Sequence, residues 1–130
     1  MENQISTELE KSIDAAAEAF ANSLRVQEAK DGYKEYLEED VAEGVENLNE
    51  LKGIYHFPVI DDMLELIKKI KDLLNGFIDG TDEKDLDTVN EEFKELIDKY
   101  NKMSMILLQR IIDANKHWCT VIESSEVYFM

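Results

Sequence analysis

From Leu86 to Val121 or Ile122 apolar residues recur at helical spacing for nearly forty positions: Leu86, Val89, Phe93, Leu96, Tyr100, Met103, Leu107, Ile111, Ala114 and Trp118. At 1.5 Å per residue such a helix is about 60 Å long, whereas the two expected before it, at roughly twenty residues each, reach about 30 Å. A helix twice as long as its neighbours must break, run beside another long helix, or project beyond them. Met105, Leu108, Ile112 and Cys119 add a second apolar stripe well off the first, so this helix needs two sets of neighbours. One way to supply them is the crowded centre of a bundle; the other is a self-association surface, often a two-fold dimer, at Met105, Leu108 and Ile112.

The rest of the chain is consistent with helix. A length of 130 residues suits one domain, able to bury roughly two-thirds of its unfolded surface. With 44% apolar and 34% charged residues, five glycines and one proline, the composition favours regular helix over a turn-rich β-fold or a disordered chain. The expected fold is all-α: one domain, 1–130, a mostly antiparallel bundle of four main helices with the C-terminal one longest. Ile5, Leu9, Ile13, Ala16 or Ala17, Phe20 and Leu24 predict a first helix over about 3–29. Asp31-Gly32 reads as a turn, and Tyr33, Leu37, Val41, Gly44 or Val45, Leu48 and Leu51 predict a second helix over about 33–53.

Gly53 and Pro58 then stop one helix and start the next, over about 59–78, with Ile60, Met63 or Leu64, Ile67, Ile70, Leu74 and Phe77 inward. Its acids Asp61, Asp62 and Glu65 precede Lys68, Lys69 and Lys71, the order the helix dipole favours. Asp79-Gly80 turns the chain again, Thr81 or Asp82 offers an N-cap, and the fourth helix is expected over about 82–123. Ser124-Ser125 would end it, leaving a short apolar tail at 124–130.

Charge is concentrated. Between Asp31 and Glu50 eight carboxylates face one lysine, Lys34, a local charge of −7 out of −16 for the chain. Glu35, Glu39, Glu43, Glu46 and Glu50 follow 4, 4, 3 and 4 spacing, so an ideal helix carries them as one stripe opposite Leu37, Val41 and Leu48. Solvated helix faces ordinarily alternate sign to gain i,i+4 pairing. Here Glu39, Glu43, Glu46 and Glu50 have no basic partner in their helix, and like charges at that spacing cost a few tenths of a kcal/mol per pair.

The same balance excludes several functions. A pI near 4.4 argues against direct nucleic-acid binding, which rests on Lys and Arg releasing counterions, and against anionic membranes. The longest uncharged apolar run, Met103–Gln109, is far short of the ~20 residues of a membrane span, and the first residues lack the basic and apolar regions of a Sec-type signal. A cytoplasmic protein is expected, with signal-independent export left open. A lone Cys119 permits no internal disulfide and reads as a buried thiol.

No motif specifies chemistry. The two histidines, His56 and His117, are preceded three residues earlier by Gly53 and Ala114, so the Glu-x-x-His pairs of a di-iron site are missing. There is no phosphate-binding glycine loop and no Gly-x-Ser-x-Gly. Asp79-Gly-Thr-Asp-Glu-Lys-Asp lacks calcium-loop ligand spacing, and Cys119 and His117 point apart on one helix. The expectation is a non-enzyme without cofactor or metal: an acidic module whose Glu35, Glu39, Glu43, Glu46 and Glu50 engage a basic protein partner, as small inhibitors and nucleic-acid mimics do. The alternative is a secretion-associated chaperone or co-secreted helical partner, using Met105, Leu108 and Ile112; Tyr36-x-x-x-Asp40 fits a loose signal-independent export pattern.

Overall fold

A computed structural model describes residues 2–129, with side chains described for residues 7–116. All of its secondary structure is helical, in the order α1 (Glu2–Tyr36), a π-helical turn (Leu37–Val41), α2 (Ala42–Ile54), α3 (Pro58–Asp79) and α4 (Leu86–Phe129). The expected four-helix bundle is corrected here. Tyr36, Val41 and Ala42 all keep right-handed helical backbone angles, so α1, the π turn and α2 join into one rod and the chain has three rods. Asp31-Gly32 does not break the helix; Gly32 simply continues it, because Tyr33 and Tyr36 beyond it pack on the core.

The π turn has a reason in the sequence. An uninterrupted α-helix that turns Tyr33 and Tyr36 inward next turns Asp40 inward, at 100° per residue. One extra residue per turn, the property of a π segment, puts Val41 there instead. Val41 is accordingly buried and Asp40 exposed, and Leu48 follows in register.

The second breaks fall where glycine and proline predict. Phe57 is extended ahead of Pro58 in the first turn of α3, and Gly80 closes that helix in the left-handed region at φ 71°, donating its amide to the Phe77 carbonyl. The N-cap of α4 is not Thr81 or Asp82. Both bond back to the Gly76 carbonyl, Asp82 by its amide and Thr81 by its hydroxyl, and so extend the turn. Asp85 caps instead, its carboxylate accepting the Thr88 amide at 2.8 Å. Hydrogen bonds from the Thr88 hydroxyl and amide hold the Asp85 carboxyl below the usual carboxylate range.

Helix α3 lies between the other two rods and runs antiparallel to both. At one end Ile70, Leu73, Leu74 and Phe77 meet Val26, Ala29 and Tyr33 of α1 and Leu86, Val89 and Phe93 of α4. At the other, Val59, Ile60, Met63 and Ile67 meet Val41, Leu48 and Leu51 of the first rod and Leu107 of α4. Aromatic edges bind the first cluster: Tyr33 on Phe77 and Phe93, with centroids at 6.0 and 5.5 Å, and Tyr36 on Phe93 at 5.5 Å. The Tyr33 hydroxyl donates to the Asn90 side-chain carbonyl across the same seam.

Among the described residues the core thus runs from Val26 in the first rod to Ile111 in α4. Every residue of α1 before Val26 whose side chain is described is exposed, so among the described residues the stripe of Leu9, Ile13, Ala16, Ala17, Phe20 and Leu24 packs on no other helix. Helix α4 continues through Ser124-Ser125 to Phe129. The side chains of Ile5, His117, Trp118, Cys119, Val121, Ile122 and the apolar tail lie outside the described residues.

Three outcomes follow. Leu74→Ala, at a side chain with no exposed surface, lowers unfolding free energy by about 2–5 kcal/mol in chemical denaturation, while Leu108→Ala changes it by about 0.5 kcal/mol or less. Deleting Asp40 removes the extra residue of the π turn and leaves a regular helix in register, so it costs less than about 1 kcal/mol. Deleting Glu46 rotates Leu48 and Leu51 out of the core and costs several kcal/mol. Because the Asp85 carboxyl titrates below its unfolded value, its contribution is complete above the ordinary carboxylate range and disappears as pH falls through the lowered pKa. The stability gap between the wild type and Asp85→Ala should therefore narrow on acidification, measured by thermal unfolding from pH 7 to pH 2.

Candidate functional site: an acidic helical face

The first rod presents its polar side where the π turn bends the register. Glu35, Glu39, Glu43, Glu46 and Glu50 are all exposed, as the stripe requires. Their alignment differs from the ideal-helix picture in one respect. Positions five apart stack across a π turn, so Glu38 comes over Glu43 and joins the face, while Glu35 stays on it beside the turn. Sequence spacing alone missed Glu38, since nothing but the conflict between Tyr36 and Asp40 signals the inserted residue.

None of the ion pairs found among the described residues involves one of these six glutamates. Lys34, four residues before Glu38, is the one cation within the run, and Lys52 pairs with Asp61 at 2.7 Å and thereby ties α2 to the start of α3. Lys84 bridges Asp82 and Glu92 at 3.7 and 2.8 Å, and Arg25 reaches Asp87 at 3.5 Å. The face is thus a row of carboxylates, and in water at moderate salt its field extends over roughly one Debye length, about 10 Å.

Behind this face the rod is anchored. Tyr36 is half-buried against Phe93, and burial, with Asp40 close by, pushes its phenol pKa up; burial does the same to Tyr100. Tyr36 therefore serves the core, and the Tyr36-x-x-x-Asp40 pattern straddles the π turn. The Tyr100 hydroxyl lies at ordinary van der Waals distance, 4.0 Å, from where a Cβ at Gly44 would stand.

The apolar stripe on α4 is not at the crowded centre of a bundle. Met105, Leu108 and Ile112 are exposed together with Ile106, while their neighbours Leu107 and Ile111 turn inward. Leu108 also borders an open cleft of about 280 Å³ between α2 and α4, walled by Leu48, Leu51, Tyr100, Leu107 and Ile111. Met105, Leu108 and Ile112 form one patch, and the glutamates lie on another rod.

His56 is exposed in the loop between α2 and α3, beside the stacked rings of Tyr55 and Phe57 at 5.2 Å. Among the described residues no three His, Cys, Asp or Glu side chains converge as metal ligands would, and no helix is long and apolar enough to cross a membrane. No family model, curated protein or solved structure matches the chain.

Self-repulsion along the face is measurable in the free protein. Glu46 stands three residues from Glu43 and four from Glu50 within the regular α2 helix. Glu46→Lys converts two repulsive pairs into attractive ones and should raise stability by about 0.5 kcal/mol at low salt, a gain that fades as salt is added.

Proposed function

We propose that the protein is a non-enzymatic acidic interaction module: a small inhibitor that covers a basic surface of a partner protein in the cytoplasm, as immunity and phage anti-defence proteins do. The observation that carries this reading is the exposed row Glu35, Glu38, Glu39, Glu43, Glu46 and Glu50, unpaired within the described residues and rigidly backed by Val41 and Leu48. Consecutive carboxylates on an α-helix three or four apart stand about 5–6 Å from one another, comparable to the spacing of phosphates along a strand. A groove lined by Lys and Arg that accepts a nucleic-acid backbone can accept such a row, and occupancy excludes the natural ligand. Complementary charge also speeds encounter.

The reading fits the energetics of the free protein. A row that repels itself lowers stability by a few tenths of a kcal/mol per pair, and a cationic partner reverses the sign. The test is affinity capture of the partner from the native host, followed by titration at several salt concentrations. Binding should weaken steeply with salt, and Glu39→Lys, Glu43→Lys, Glu46→Lys and Glu50→Lys combined should abolish it with the helical content unchanged. A salt-insensitive complex would contradict the proposal.

A second reading is favoured by the exposed Met105, Leu108 and Ile112: a helical chaperone or co-secreted partner that engages an apolar segment through α4. It predicts a partner lost on Leu108→Glu and retained when the glutamates are reversed.

A further inference from the structure

We infer that the N-terminal half of α1 is a two-fold dimerisation arm, pairing antiparallel with the same segment of a second copy about an axis between Ala16 and Ala17. The arm spans residues 7–25, nineteen consecutive exposed positions and about 28 Å of helix. It carries a stripe that no other part of the described chain covers. Single helices of this length are marginal in water, and amphipathic ones draw their stability from the face they bury.

What identifies the occupant is the order of the side chains. A two-fold interface must be complementary to itself, each residue meeting the one that its symmetry mate supplies. Reflected about the midpoint of Ala16 and Ala17, Leu9 falls on Leu24, Ile13 on Phe20, and Ala16 on Ala17. The stripe therefore reads large, large, small, small, large, large in both directions, and the small residues at the centre let the backbones approach. The charges follow the same operation. By height along the arm Glu8 is level with Arg25, Glu10 with Ser23, Asp14 with Ala19 and Glu18 with Ala15, so no carboxylate of the arm lies level with another. Glu8 and Arg25 stand about 130° round the helix from the stripe, on opposite sides, and do not meet.

Geometry and area permit the pairing. At 100° per residue the stripe lies about 150° round the helix from the side that Val26, Ala29 and Tyr33 turn to the core, so a second arm passes on the side away from α3 and α4. Leu9, Ile13, Phe20 and Leu24 are 59, 57, 67 and 49% exposed. At roughly 200 Å² for a fully exposed large apolar residue, two copies bring together about 900 Å² from these side chains alone. The alanines and the methylene stems of the flanking residues carry the total past the roughly 1,000 Å² expected of a specific interface.

The test is the oligomeric state of the intact chain by sedimentation equilibrium, with single cysteines in a Cys119→Ser background to fix the geometry. The wild type should be dimeric, and Phe20→Glu should weaken the dimer at least about tenfold with far-ultraviolet circular dichroism retained, while Leu108→Glu leaves it unchanged. Ala17→Cys, beside the axis, should form a disulfide-linked dimer. Leu9→Cys should not, since an antiparallel partner's residue 9 is about 22 Å away along the helix, yet Leu9→Cys with Leu24→Cys should. A wild type that stays monomeric at millimolar concentration overturns the inference. So does a dimer that survives Phe20→Glu but not Leu108→Glu, or one in which Leu9→Cys alone links as readily as Ala17→Cys.

Discussion

The packing of α3 sets the dimensions of everything else. Its 22 residues span about 33 Å and bury Val59, Ile60, Met63, Leu66, Ile67, Ile70, Leu73, Leu74 and Phe77, more of the core than either neighbour supplies. Both other rods can bury apolar surface only along that length. The first rod runs from Glu2 to Ile54 and α4 from Leu86 to Phe129, so each has helix left over, and because they are parallel to one another the surplus emerges at opposite ends. The arm of α1 leaves past the turn at Gly80, and α4 leaves past the loop at His56.

The described residues present three separate surfaces, and that mismatch accounts for the first. The arm presents Leu9 to Leu24 with none of the described residues opposite them. The patch at Met105, Leu108 and Ile112 lies on the outward side of α4, beside the inward-facing Leu107 and Ile111. The glutamate face arises differently: it lies within the core-bearing length of the rod, on the side turned away from α3, and its alignment depends on the π turn that keeps Val41 inside. A rigid back and an acidic front suit a surface that must hold its charges in fixed positions for a partner.

Much of this was legible in the residues. Pro58, Gly80 and the run from Ile60 to Phe77 mark α3 almost to the residue, because a strong apolar period and its punctuation agree. The length of α4 could also be anticipated from Leu86 to Ile122, whereas its second stripe was equally compatible with the crowded centre of a bundle, and the exposure of Met105, Leu108 and Ile112 settles against that. What failed was Asp31-Gly32. A turn dipeptide is a local preference, and the tertiary contacts of Val26, Ala29 and Tyr33 on either side of it outweigh that preference. The stripe from Leu9 to Leu24 was legible as a helix face but not as an uncovered one, since periodicity tells which side is apolar and not what lies against it. Glu38 was missed for a related reason: ideal spacing cannot show an inserted residue.

Among the described residues the core runs from Val26 to Ile111 and leaves residues 7–25 of α1 exposed. Amide hydrogen exchange, followed from low micromolar to near-millimolar protein, reads this directly. Amides of residues 60–77 should be strongly protected at every concentration, while those of residues 9–24 should exchange readily at the lowest and gain protection as concentration rises. Protection over residues 9–24 that matches α3 and does not change on dilution would contradict the account.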